Sequence, residues 1–417
     1  MSVSDQPGGG RQAAMPFILV TVLLDMVAIG LIVPVLPLIV GRFTTSPAEQ
    51  TFWFGAVTFT FGLANFFAAP ILGALSDRFG RRPILLLGMS GLALSFIVTG
   101  LATALWMLIV VRLFSGAMQA NAAVANAYVA DITAPADRAR RFGLLGAMFG
   151  LGFILGPMMG GLLGAIDLHL PFFAAGGLAI LNGLYGYFVL PESLPAERRR
   201  PFEWRRANPF SALRQLGRLQ GVGPLIAVIG LATLAQFTLH SSWVLHNTFK
   251  FGWGPAENGW SLFVVGVMSF LVQGVLLRVL LKRFSPQRIA SFGLVGSALT
   301  YLGFGLSTQG WMIYTVIVVG TLLGGGAQAA IQSLVSNAAD PQTQGQTAGS
   351  VASLTSLMGV LAPIIAAPLL GIVSHLPRGD VGIGLPFFFC SALQAIGATV
   401  AFLHFRRQRA LQPAPAV

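Results

Sequence analysis

The chain has 417 residues, 55% of them hydrophobic and only 9% charged. Soluble domains carry about 25% charged residues, so a soluble globular protein is excluded and an all-α polytopic membrane protein, with the lipid bilayer as its partner, is expected. The net charge of +12 is spread over short loops between apolar runs rather than gathered on one surface, so no nucleic-acid partner is expected.

The only cysteine, Cys390, lies in an apolar run, so there is no disulfide framework. No His/Cys cluster has metal-ligand spacing and no G-x4-G-K-[ST] phosphate loop occurs. Neither a metal, a cofactor, nucleotide hydrolysis nor an enzyme activity is expected. Residues 1–15 hold one arginine and no apolar core with a cleavage site, so no signal peptide is expected and the first span stays in the membrane.

Hydropathy marks twelve spans, at 16–40, 52–75, 83–103, 105–127, 141–165, 170–190, 222–246, 258–282, 288–307, 311–335, 345–373 and 383–405. With the N-terminus inside, cytoplasmic segments collect Arg11, Arg78, Arg81, Arg82, Arg138, Arg140, Arg141, Arg278, Lys282, Arg283, Arg288 and Arg406. The outer loops keep only Arg42, Lys250 and Arg378. That asymmetry places both termini in the cytoplasm.

The first span, PFILVTVLLDMVAIGLIVPVLPLIV, holds one charge, Asp25. At ~1.5 Å per residue Asp25 lies ~14 Å deep, near the midplane. A carboxylate there costs roughly 2.5–3.5 kcal/mol on insertion scales, so an idle acid is a poor explanation; the plainer reading is a neutralised structural acid. Gly30, Pro34 and Pro37 follow as D-x4-G-x3-P-x2-P and are expected to bend the outer half of the helix.

After the second span comes GALSDRFGRRP at 73–83, a G-x3-D-R-x-G-R-R pattern. Gly73 and Gly80 permit close packing and a tight turn. Asp77 is placed to cap or to pair with Arg78, Arg81 and Arg82, and Asp131 at the inner end of span four is within plausible reach of Arg81. This loop resembles the signature loop of the major facilitator superfamily. The resemblance implies two six-helix bundles and a charge cluster, here Asp77, Arg81 and Asp131, that latches the outward-open state.

Span four places Arg112, Gln119 and Asn126 seven residues apart, on one helix face. A buried arginine needs an anion, a carbonyl or water. Its depth is offset from that of Asp25 by ~6 Å along the membrane normal, within reach of a guanidinium or one bridging water; a static pair is the plainer alternative. R-x3-G, Arg112 to Gly116, also resembles the superfamily's proton-coupling motif.

Span five carries Gly152, Gly156, Pro157, Gly160 and Gly161, small residues every four with a proline kink, which suits a tight helix crossing. G-x3-G-P-x2-G-G resembles the motif of the superfamily's antiporters. Together with LLDMVAIGLIVPVLP, SDRFGRRP and LHLPFF, the chain resembles bacterial tetracycline/proton antiporters and related drug-efflux transporters. Where those antiporters place a histidine in span eight and an aspartate in span nine, the nearest residues here are Ser269 and Ser297.

Further polar residues fall on faces suited to a cavity: Asn65 in span two, Gln236 and His240 in span seven, Gln328 and Gln332 in span ten. In the superfamily spans one, four, seven and ten surround the cavity, which implies a small-molecule substrate there; bonds to neighbouring helices are the plainer reading.

The halves echo one another. Trp106-Met107 recurs as Trp311-Met312, Pro157 as Pro363 and LPFF at 170–173 as LPFF at 385–388. The expected organisation is an N-terminal bundle, 1–190, a basic linker, 191–221, with a stretch fit to lie on the inner leaflet, and a C-terminal bundle, 222–417. The function implied is proton-coupled export of small amphipathic molecules by a monomer in a bacterial inner membrane. A metabolite or lipid carrier, or a transporter-like sensor that moves nothing, stand as alternatives.

Overall fold

In a computed structural model of the chain, residues 9–119, 121–134, 137–204, 223–338 and 344–411 are described. Most of the expected linker, with its surface stretch, lies outside them. Among the described residues there is no strand, and twelve helices are long and apolar enough to cross a membrane. The second span is longer than expected, Pro47–Phe79, the fourth runs from Leu105 to Ile132, and the seventh continues to Phe251.

Helix α1 (Gly9–Ile32) stops where Pro34 removes a backbone donor, and α2 (Leu36–Gly41) resumes with proline in its first turn. The joint closes by short-range bonds from Val33 N to Gly30 O and from Val35 N to Ile32 O, both 3.2 Å. The second to sixth spans are α3 (Pro47–Phe79), α4 (Arg81–Gly100), α5 (Leu105–Met118) with α6 (Asn121–Ile132), α7 (Arg138–Ile166) and α8 (Leu170–Val189). The seventh is α9 (Gly223–Phe251); the eighth is α10 (Pro255–Leu271) and α11 (Leu277–Arg283), joined by one π turn at Val272–Leu276. Then come α12 (Pro286–Leu306), α13 (Gly310–Gly324) with α14 (Ala327–Ala338), α15 (Gln344–Val373) and α16 (Leu385–Leu411).

Spans four and ten are both interrupted midway. Gln119 ends α5 at φ −85, ψ 55, and Gly325 ends α13. The two positions are separated by the same interval as Pro157 and Pro363, so the repeat seen in the sequence extends to the helix breaks.

Two compact units form. Unit 1 takes Met1–Phe43, Thr60–Asn208 and Gly254–Phe263; unit 2 takes Thr44–Phe59, Pro209–Trp253 and Val264–Val417. The core of unit 1 joins Ile18, Val22 and Met26 of α1 to Leu85 and Met89 of α4, Tyr128 of α6 and Leu145 of α7. That of unit 2 joins Val228 and Ile229 of α9 to Leu294 of α12, Ile331 of α14 and Phe405 of α16. Large apolar side chains such as Trp106, Phe188, Phe292 and Trp311 stay exposed, as suits helices that face lipid.

One expectation is corrected here. Lys250 is not a loop cation: it is 1% exposed inside the last turn of α9, and its Nζ donates to Gly305 O at 2.7 Å. The carbonyl lies in the last turn of α12, where unsatisfied acceptors and the helix dipole favour a cation.

Candidate functional site

The 73–83 loop of unit 1 is built around Arg81. Gly80 adopts φ +104, which L side chains avoid, and so turns α3 into α4. Its Cβ position is crowded by the Glu192 carboxylate. Gly73 differs: nothing lies within 4 Å of its Cβ position, so the close packing expected there is not formed.

Arg81, buried at its guanidinium, spends Nη1 on Asp77 Oδ1 at 2.6 Å and Ser76 Oγ at 2.6 Å, and Nε on Asp131 Oδ2 at 3.0 Å. The half-exposed Asp77 alone adds little in water; the fork held by three partners is the stronger arrangement. Arg78 is exposed, its guanidinium 5.0 Å from the Phe79 ring. Arg82 donates to Tyr187 O and lies 5.8 Å from that ring.

Sequence reasoning missed Glu192. Its carboxylate accepts from Arg81 N at 2.8 Å and Arg82 N at 3.2 Å, capping the first turn of α4. A negative charge satisfying orphan amides at a helix N-terminus is favoured twice over, by hydrogen bonds and by the dipole. Glu192 also accepts from Leu194 N at 2.9 Å, while Ser193 Oγ donates to Asp131 at 3.4 Å and Tyr128 OH donates to Pro191 O at 2.8 Å. The signal was the Pro-Glu-Ser immediately after the sixth span, an acid at the same membrane face as the arginines.

Asp25 is 4% exposed on α1 and lines a small cavity with Thr21, Met26, Leu85, Met89 and Phe149. Arg112 is 7% exposed on α5, its guanidinium 5.9 Å from the Phe61 ring. Its Nε and Nη2 have no hydrogen-bond partner. Both mid-span charges are buried in unit 1, and Arg112 holds two donors in reserve.

The glycines of α7 make the closest helix crossing in unit 1. A Cβ on Gly152 would overlap Met26, one on Gly156 would stand 2.6 Å from Gly30 Cα, and one on Gly160 would overlap Leu31 O. Gly161 faces a different helix, with Pro255 O at 2.6 Å and Gly259 Cα at 2.8 Å. Pro157 lies inside α7, 2.9 Å from the Cβ position of Gly30. The motif thus grips α1 on one side and the start of α10 on the other.

The remaining polar residues are divided between the units. Asn65 and Gln119 are half-buried and Asn126 exposed in unit 1; Gln236 and Gln328 are half-buried and His240 and Gln332 exposed in unit 2. His240 sits edge-on to Phe237 at 6.4 Å.

Twelve apolar helices, with an acid and an arginine buried in mid-span, define a polytopic integral membrane protein. A family model of the Major Facilitator Superfamily matches residues 18–363. The chain belongs to that superfamily: it is a multi-pass inner-membrane carrier of small molecules and not an enzyme. The tetracycline resistance protein, class C, of Escherichia coli is 39% identical over 356 residues, covering 85% of this chain and 89% of that protein. The class D protein of Salmonella ordonez is 37% identical, covering 84% and 87%. Among solved structures, an inward-facing, unoccupied bacterial homolog of the human lysosomal transporter Spinster aligns over 99% of this chain and 100% of that one, with a TM-score of 0.77 at 18% identity; that likeness speaks to the fold alone.

Proposed function

We propose that the protein exports small amphipathic molecules of the tetracycline type from the cytoplasm in exchange for protons, by alternating access. The observation that carries the coupling is Asp25, a carboxylic acid 4% exposed in the middle of the first span. Burial of such a group is costly unless it works or is paired. The cargo class rests on relatives whose names are tetracycline resistance proteins at up to 39% identity.

In the proposed cycle Asp25 takes a proton from the outer side, and the neutral acid permits the bundles, 1–190 and 222–417, to rock about the 191–221 linker. Facing inward, Arg112 and the incoming cargo favour the carboxylate, and the proton leaves to the cytoplasm. A potential of ~100 mV adds ~2.3 kcal/mol per charge moved. Asn65, Gln119, Asn126, Gln236, His240, Gln328 and Gln332 would contact cargo, and the protein would work as a monomer with both termini cytoplasmic. One observation favours a different cargo, a metabolite or lipid: the positions nearest the relatives' span-eight histidine and span-nine aspartate are Ser269 and Ser297.

The test is a susceptibility panel with the protein overexpressed in a pump-deficient host, beside cargo-driven proton uptake in proteoliposomes. Resistance confined to tetracyclines supports the first cargo; proton flux without any resistance supports the second; neither signal ends the proposal.

The Asp77–Arg81–Asp131 cluster is the proposed latch. Asp77→Asn is expected to slow interconversion of the two states about tenfold, one charge-assisted hydrogen bond's worth, with cargo affinity unchanged, because Asp77 lies at the end of α3 and away from Asp25. Single-molecule distance measurements in nanodiscs read the rate. A variant that binds poorly yet interconverts normally removes Asp77 from the latch.

A further inference from the structure

Thr21 precedes Asp25 by one helical turn, so both face the same side of α1. They line one cavity of ≈ 10 Å³ with Met26 of α1, Leu85 and Met89 of α4 and Ala125 of α6. Roughly 10–15 Å³ accommodates a single water molecule. The Thr21 hydroxyl is 1% exposed and has no protein hydrogen-bond partner.

Thr133, Thr233, Thr238, Ser242 and Ser350 share that state, but none of them lines the Asp25 cavity; other hydroxyls are satisfied within their own helix. Thr58, Ser95 and Thr99 each donate to the carbonyl one turn back, at 2.8, 2.8 and 2.7 Å, the ordinary way a hydroxyl is satisfied inside a span. Thr21 does not, and its own carbonyl accepts from Asn182 Nδ2 at 2.9 Å. An orphaned buried hydroxyl costs about 1–3 kcal/mol, a cost relieved by a water with polar partners on both sides.

We propose that this cavity binds one water between the Thr21 hydroxyl and the Asp25 carboxyl, and that this water is the first acceptor of the proton leaving Asp25. The inference rests on the proton-coupling role proposed for Asp25. Leu85 and Met89 lie within the first nine residues of α4, which starts at Arg81 on the proposed cytoplasmic face, so the cavity stands on the inner side of Asp25. In the step the Asp25 O–H bond breaks, the water oxygen takes that proton, and the water passes one of its own to solvent on the cytoplasmic side. Thr21 is a positioning residue: it holds the water and keeps its own proton.

The experiment uses the full chain in proteoliposomes. Proton release after a pH jump is followed with an entrapped pH dye, and X-ray hydroxyl-radical labelling of Met26 and Met89 reports bound water beside them. Thr21→Val, the same shape without the hydroxyl, is expected to slow release about tenfold, the worth of one hydrogen bond, and to suppress methionine labelling. Thr21→Ser is expected to restore both. Ala125→Val, which fills the cavity from the opposite wall, is expected to act like Thr21→Val and serves if that variant folds poorly. Asp25→Asn run in parallel separates the two ideas. Release that persists in Asp25→Asn overturns the proton-coupling role itself. Release lost in Asp25→Asn but unchanged, with unchanged labelling, in Thr21→Val and Ala125→Val overturns the water site alone.

Discussion

Asp25→Asn is expected to abolish proton-driven export while leaving folded, membrane-inserted protein. The substitution is nearly isosteric and removes a group whose charged form is expensive at this depth, so stability is held or improved. The amide resembles the protonated acid permanently. The bundles therefore still rock, and cargo still moves down its own gradient. What is lost is the exchange of a proton for cargo: accumulation against a gradient falls to background, and cargo binding loses its dependence on pH. Proton uptake by proteoliposomes on addition of cargo, wild type beside Asp25→Asn, measures this. Undiminished coupled flux in the variant sinks the assignment and makes His240 the next group to test. Arg112→Ala, which removes the buried cation without touching the acid, is expected to displace the pH profile of transport rather than erase coupling.

Gly156→Leu is expected to prevent assembly of unit 1. A Cβ at this position would lie 2.6 Å from Gly30 Cα and 2.9 Å from Val27 O, well inside ordinary contact. Both neighbours are backbone, so no side chain can swing aside; α1 itself must move. One added methylene in a packed core costs typically about 1–3 kcal/mol, and leucine adds several, while membrane helices held by small-residue contacts have little other driving force. Yield of monodisperse protein in detergent is expected to collapse. Gly143→Leu on the same helix is the control: nothing lies within 4 Å of its Cβ position, and its yield is expected to match wild type. Equal yields for the two variants remove the motif from helix packing.

The spans and the first helix break were legible in the sequence because their causes are local. Twenty apolar residues must span, and Pro34 must interrupt. The pairing of Arg81 with Asp77 was legible for the same reason, the two being four residues apart on the chain. Asp131 was reachable because helix rise fixes depth, which ranks residues by height without knowing their neighbours.

Lateral neighbours were not legible. Glu192 reaches the α4 amides from 111 residues away, and no periodicity encodes that. Lys250 resembled a loop charge because hydropathy penalises a lysine whether or not a carbonyl waits for it. Thr21 looked like any hydroxyl able to bond its own helix; that it does not is a property of the packed surroundings. The break at Gln119 has a single glycine near it, Gly116, whose carbonyl accepts the Gln119 amide at 3.3 Å, whereas its counterpart sits in the Gly324–Gly326 run, so one of two equivalent interruptions left a far fainter trace in composition than the other.

The single π turn at Val272–Leu276 bears on how this protein is compared with its relatives. A turn of this kind is wider than an α turn, and over five residues it sets back the angular position of everything beyond it by roughly a quarter of a revolution. Ser269 lies before the turn, and Arg278, Lys282 and Arg283 after it. The two ends of the eighth span therefore obey helical wheels of different phase. A wheel drawn continuously through the span assigns Arg278 and Arg283 to the wrong meridian, and an accessibility scan begun at Pro255 has to be re-zeroed at Leu277.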